Sequence, residues 1–229
     1  MTAGRPHLML VLAAFAGVGL PVASWTRAAA VRLAETRGKA PEVATASASD
    51  MDYCTGDLKV ILKRVLTSCG LAAGAGSRGC QPLQARQVAA MSGGDFNALF
   101  APLAERAAII EFDKDSAELD AAAAELLEKN FTDRRGASYY FVVSRASPEG
   151  SAVHNRDLSH RRGSAVLDHI KVKFQDPDID QEVGLLWLGE EFAQLDQQFC
   201  QWKRSRTGSE CSTADLNRSS FIAWIDCRL

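Results

Sequence analysis

Two hydrophobic periods divide this chain. Leu58, Ile61, Leu62, Val65 and Leu66 recur at helical steps and predict an amphipathic helix over Asp57–Ser68, ended by Gly70. Ala72–Gly79 is a Gly/Ala/Ser loop. A shorter helix is expected over Leu83–Met91, and Phe96, Leu99, Phe100 and Leu103 mark another. Beyond residue 106 the period changes. Ala107–Phe112, Ser138–Ser144, Val183–Leu188 and Phe221–Ile225 are short apolar runs that read as strands. Between them lie helical patterns at Leu119–Lys129, opened by a capping-box pattern from Asp115 to Glu118, and at Asn155–Val172. Phe192, Leu195, Phe199 and Trp202 suggest an inserted helix over Glu191–Lys203. The order β-α-β-α-β…β predicts an α/β (α+β) sandwich with helices on one face of a mixed sheet. Residues 54–106 form a small helical cap that needs staples to hold a core.

The start of the chain has a different pattern. Arg5 and His7 precede Leu8–Trp25, a run without charge, and Val22-Ala23-Ser24 follows within it as a small-residue cleavage site. Residues 1–24 therefore read as a secretory signal peptide or a retained membrane anchor. Residues 25–53, Ala/Ser/Pro-rich in their second half, read as a linker. Export places the remainder in the periplasm or cell envelope. Composition adds exclusions: 26 Lys+Arg against 28 Asp+Glu leave no basic excess for nucleic acid. All six Cys lie beyond the signal, an even number that implies disulfides in an exported chain. None has the two-residue spacing of a zinc or thiol redox motif, and the four His form no ligand set with them, so no metal or other cofactor is expected.

One side chain breaks the helical pattern. On Asn155–Val172 the apolar stripe comprises Leu158, Ala165, Val166 and Ile170. At about 100° per residue Arg162 falls roughly 40° from Leu158, inside that stripe. A guanidinium there needs an anion or carbonyls. Either it has an internal partner such as Asp115 or snorkels out at the domain edge, or its partner is a ligand carboxylate.

Four strings, taken in order, resemble one family. Asn155-x-x-Leu158-Ser159-x-x-Arg162-Gly163-x-x-Val166 is similar to the signature helix of OmpA-like domains, the periplasmic wall-associating domain of outer membrane protein A and related lipoproteins. Phe112-Asp113-x-Asp115-Ser116-x-x-Leu119 resembles the family's first strand and loop, Ser144–Gly150 its second loop, and Asn217–Ile225 its closing strand. The resemblance covers about residues 107–227, taking 107–229 as the domain, and leaves the cap unmatched.

This resemblance implies a protein that binds peptidoglycan without cutting it. The diaminopimelate carboxylate of the stem peptide would meet Arg162, and its ammonium an Asp where this chain has Ser147. Ser147 supplies no counter-charge. Glu149, two residues on, either takes that role or is a solvated turn residue. Asp115 either touches ligand or caps its helix, Asn155 is expected to hold the second loop to the helix start, and Arg218 either faces ligand or lies on the strand surface. The family's long loop before the last strand often contains extra residues, sometimes with a disulfide, and Cys200 and Cys211, which bracket a turn in that place, are expected to pair. A continuous helix holds Cys54 and Cys69 about 22 Å apart, at 1.5 Å per residue. This leaves Cys69–Cys80 with Cys54–Cys227, or Cys54–Cys80 with Cys69–Cys227. Two functions remain open: peptidoglycan binding, or a periplasmic scaffold that has lost the ligand and engages envelope proteins. No catalytic set is recognisable, and membrane contact is expected only through an uncleaved N-terminal segment.

Overall fold

The computed structural model describes residues 53–68, 80–134, 137, 139–176, 179–208 and 210–227. The segment read as a signal or anchor, most of the expected linker, and Cys69 lie outside them. Among the described residues no helix is long and apolar enough to cross a membrane.

The cap opens with α1 (Gly56–Ser68), whose Leu58 amide donates to Thr55 Oγ1 at 3.2 Å. Then come α2 (Pro82–Ala89) and α3 (Gly93–Ala98), the latter N-capped by Ser92, and a 3₁₀ turn at Ala101–Leu103. The main sequence follows: β1 (Ala107–Glu111), α4 (Ala121–Thr132), β2 (Tyr139–Ser144), α5 (Ala152–Phe174), α6 (Ile179–Glu182), β3 (Val183–Trp187), a 3₁₀ turn at Gln197–Gln201, α7 (Thr213–Leu216) and β4 (Ser219–Ile225). The sheet order is β1-β4-β2-β3, with β4 antiparallel to both neighbours and β2 parallel to β3. This is the mixed α/β architecture that the sequence implies.

Strand alternation sorts the core into two layers. Val142, Leu185, Ile222 and Trp224 face α4 and α5, meeting Leu127, Phe131, Val166 and Ile170. Phe141, Val143, Phe221, Ala223 and Ile225 face the other way, where Leu58, Leu62, Phe96, Phe100 and Leu103 of the cap cover them. The long helices thus lie on one face, as expected, and the cap covers the opposite face. Cap and sheet belong to one unit, Asp50–Leu229.

Disulfides fix that arrangement. Cys54 pairs with Cys227 and Cys200 with Cys211. The alternative with Cys69–Cys227 is thereby excluded. Cys80 is also disulfide-bonded. Both sheet margins carry a bridge from outside the strands. Cys80 exchanges hydrogen bonds with β3, donating to Leu185 and accepting from Trp187, while Lys203 and Ser205 flank Ile109 on β1. The β1 side is locked further by a buried ion pair, Arg204 to Glu111 at 2.9 Å.

Two elements differ from the sequence reading. Asp115 does not cap a helix: its φ is +55°, and α4 starts six residues later with Asp120 accepting from the Ala123 amide at 2.7 Å. The helix expected over Glu191–Lys203 reduces to the short 3₁₀ turn. Its backbone is taken by other partners: Leu195 pairs with Asn217, and Lys203 with β1.

Gly163 lets α5 lie close to the sheet. A Cβ there would sit 2.3 Å from Leu185 Cδ1 and 2.8 Å from Ser144 Oγ. Ser144 is itself bonded to Ser220. Gly163→Ala is expected to destabilise the domain by about 1–3 kcal/mol through overpacking. An unchanged midpoint in urea would refute that.

Candidate functional site

Strand directions bring the predicted site residues together. β1 and β2 both run opposite to β4, so the C-terminal ends of β1 and β2 and the start of β4 lie at one end of the sheet. Backbone bonds there are tight: Phe112 donates to the Arg218 carbonyl at 2.8 Å and Arg145 to Ser219 at 2.9 Å. A pocket of about 320 Å³ opens between the loops and the first turns of α5. Asp115, Ser147, Asn155, Arg162 and Arg218 all line it.

Arg162 lies wholly buried at this pocket. Its Nε donates to Ser116 O at 2.8 Å, Nη1 to Arg145 O at 3.1 Å and Nη2 to Asp113 O at 3.0 Å. Its guanidinium also stands 5.4 Å from the Phe112 ring centroid. Three of the fork's five N–H groups therefore join the first loop to the end of β2. Burial, with Arg218 and Arg161 nearby, pushes its pKa down to about 10 against the pull of Asp115, so it stays charged at neutral pH. Its internal partners are thus backbone carbonyls and not the Asp115 carboxylate.

The other positions have defined partners. Asp115, in its left-handed turn, meets His154 Nε2 at 2.6 Å. Asn155 is buried and donates to the Glu149 carbonyl at 3.1 Å and to Glu190 Oε2, so it does hold the second loop to the helix start. Arg218 reaches across the mouth: Nε to Ser147 Oγ at 3.4 Å, Nη2 to Glu149 at 3.0 Å and Nη1 to Asp215 at 3.1 Å. It is therefore not a strand-surface residue.

Glu149 turns toward the pocket. Lys114 Nζ and Arg218 Nη2 both meet its Oε2, at 3.2 and 3.0 Å. Oε1 has no hydrogen bond to a described residue. The bond to Lys114, then that to Arg218, holds the carboxyl below the usual glutamate range. The pocket thus combines three cations (Lys114, Arg162, Arg218) with two carboxylates (Asp115, Glu149). Such a set can receive a ligand bearing both signs of charge.

Lys114 and His154 were not legible as site residues. Lys114 is an ordinary exposed loop lysine in sequence. His154 stands one residue before the Asn155 motif, which was its one available signal. Among the described residues no three His, Cys, Asp or Glu side chains form a metal group.

No family model matches the chain, and no curated protein does. Among solved structures it is similar to the peptidoglycan-associated lipoprotein of Burkholderia pseudomallei, with a TM-score of 0.37 and 16% identity over 51% of this chain and 88% of that one. It is also similar to the OmpA-like domain of FopA1 from Francisella tularensis subsp. tularensis SCHU S4, with a TM-score of 0.35 and 18% identity over 52% of this chain and 72% of that one.

Proposed function

We propose that this chain is a non-catalytic cell-envelope protein that binds peptidoglycan through the diaminopimelate of the stem peptide. One observation carries the reading: the pocket presents a carboxylate, Glu149, whose Oε1 is engaged by no described residue, beside cations. The free end of diaminopimelate carries an ammonium and a carboxylate on one carbon. Glu149 would accept the ammonium in place of the Asp that the family resemblance puts at 147. Arg218 and Lys114 would meet the carboxylate, with Arg162 supplying charge from the floor. Ser147 and Asn155 shape the wall. Residues 1–24 would deliver the protein to the periplasm or anchor it, 25–53 would tether it, and 54–106 would cap the wall-binding domain 107–229.

Retention on isolated peptidoglycan, competed by free diaminopimelate, tests this reading. Glu149→Gln is expected to weaken retention about tenfold, and Ser147→Asp to strengthen it by a similar factor. Acid should act through Glu149. Its pKa is lowered in the folded state, so its ion pairs contribute fully above the ordinary range and fade as pH falls through the lowered value. Retention should therefore stay level from pH 7 to about 5 and fall below that.

A second reading draws on a different observation. Arg162 is wholly buried and committed to three carbonyls, and the Ser147 hydroxyl is engaged by Arg218. A scaffold that retained the fold and lost the ligand would have these features. Folded protein that fails to bind peptidoglycan at low salt, yet crosslinks to an envelope protein, would replace the first reading with this one.

A further inference from the structure

The cap reaches the pocket through the loop 189–195 and through Arg145. Asn97, on α3, is 4% exposed. Its amide donates to the carbonyls of Ala193 and Gln194 at 3.1 and 2.9 Å, and its oxygen accepts from Arg145 Nη2 at 2.8 Å. Arg145 is buried and meets no carboxylate among the described residues. Its remaining bonds run from Nε to Ala193 O at 2.6 Å and from Nη1 to Val143 O at 3.2 Å. The start of α3 presses on the same point, since a Cβ on Gly93 would fall 2.5 Å from Ala193 N. Ala193 itself has a φ of +54°.

Residues 189–195 then hold the pocket walls. The Gly189 carbonyl accepts from Ala146, next to Ser147, at 2.9 Å. Glu190 accepts from Asn155. Leu195 and Asn217, next to Arg218, exchange two hydrogen bonds of 2.7 and 2.9 Å. Arg145 adds a second link, because its carbonyl accepts from Arg162 while its side chain ends on the cap.

We infer that Asn97 is a positioning residue for the pocket: its grip on Ala193, Gln194 and Arg145 sets the loop that places Ser147, Asn155 and Arg218. The cap is then part of the binding site without touching the ligand. A neutral amide suits the position because it donates twice and accepts once. Asp would still accept from Arg145 but would lose both donations to the loop.

The inference rests on the pocket being a ligand site, and its test separates the two. Amide hydrogen exchange in the purified full chain is compared between wild type, Asn97→Ala, Asn97→Asp and Gly93→Ala. All three variants should raise exchange at Ala146 and Leu195 about tenfold or more, with Val142 and Ile222 in the sheet unchanged. Diaminopimelate affinity should fall by about tenfold in parallel. Gly93→Ala displaces Ala193 with Asn97 intact, so it must give the same local pattern. Wild-type exchange at Ala146 and Leu195, or a rise shared equally by Val142 and Ile222, overturns the coupling. If wild type binds no diaminopimelate, the ligand reading falls, while the exchange pattern still decides whether the cap sets the loop.

Discussion

Arg162→Ala is expected to lower the stability of the domain by about 3–5 kcal/mol. The backbone carbonyls of Ser116 and Arg145 would lose the arginine as donor at a site where it is wholly buried, while that of Asp113 would keep the Ser116 amide at 3.2 Å. An unsatisfied buried polar group costs about 1–3 kcal/mol. The void over Phe112 adds to this, because the guanidinium stands 5.4 Å from that ring centroid. Arg162→Lys should recover part of the loss, since one ammonium keeps the charge but cannot span three acceptors set in a fork. Urea unfolding measures both, and a change below about 1 kcal/mol for the alanine variant would show the carbonyls satisfied by other means. The consequence for binding studies is direct. Loss of peptidoglycan retention in Arg162→Ala would report the fold before it reported the ligand. Glu149→Gln is the cleaner variant, because that carboxylate is exposed and its backbone contacts survive the change.

The second large effect concerns the staples. The Cys54–Cys227 bond closes 173 residues, and Cys200–Cys211 closes 11. By the chain-entropy relation, removing the first as a paired Ser variant should cost about 5 kcal/mol and removing the second about 3 kcal/mol. The consequences differ in kind as well as size. Freeing Cys227 loosens the hold of the cap on the sheet face carrying Phe141, Phe221 and Ile225, so hydrophobic dye binding should rise with the Cys54/Cys227 variant. Freeing Cys211 acts first on the small cluster of Ile109, Leu195, Phe199 and Leu216. Equal midpoints for the two paired variants would contradict the ordering.

Much of this was legible in the residues. Apolar runs placed all four described strands, and helical phase put Arg162 on the core-facing stripe, leaving its partner open. The failures have local causes. Asp115 fits a capping pattern by residue type, but a left-handed backbone at that position prevents it, and the alanine-rich start of α4 gives the helix no phase to read. Phe192, Leu195, Phe199 and Trp202 have helical spacing, yet bonds to Asn97, Asn217 and β1 claim that backbone. The place of the cap was half visible. β2 reads Tyr-Tyr-Phe-Val-Val, apolar on successive positions, as expected for a strand covered on both faces. Sequence left Glu149 open between a ligand partner and a solvated turn residue, because the choice depends on where the second loop turns.

The bridges along the two sheet margins have a consequence for assembly. An open strand edge is an invitation to any extended chain, a copy or a stranger, to join the sheet. Here Cys80 lies along β3, and Lys203 and Ser205 lie along β1. At those positions the outward backbone groups of the edge strands are already engaged, so a neighbouring strand is expected to add poorly there.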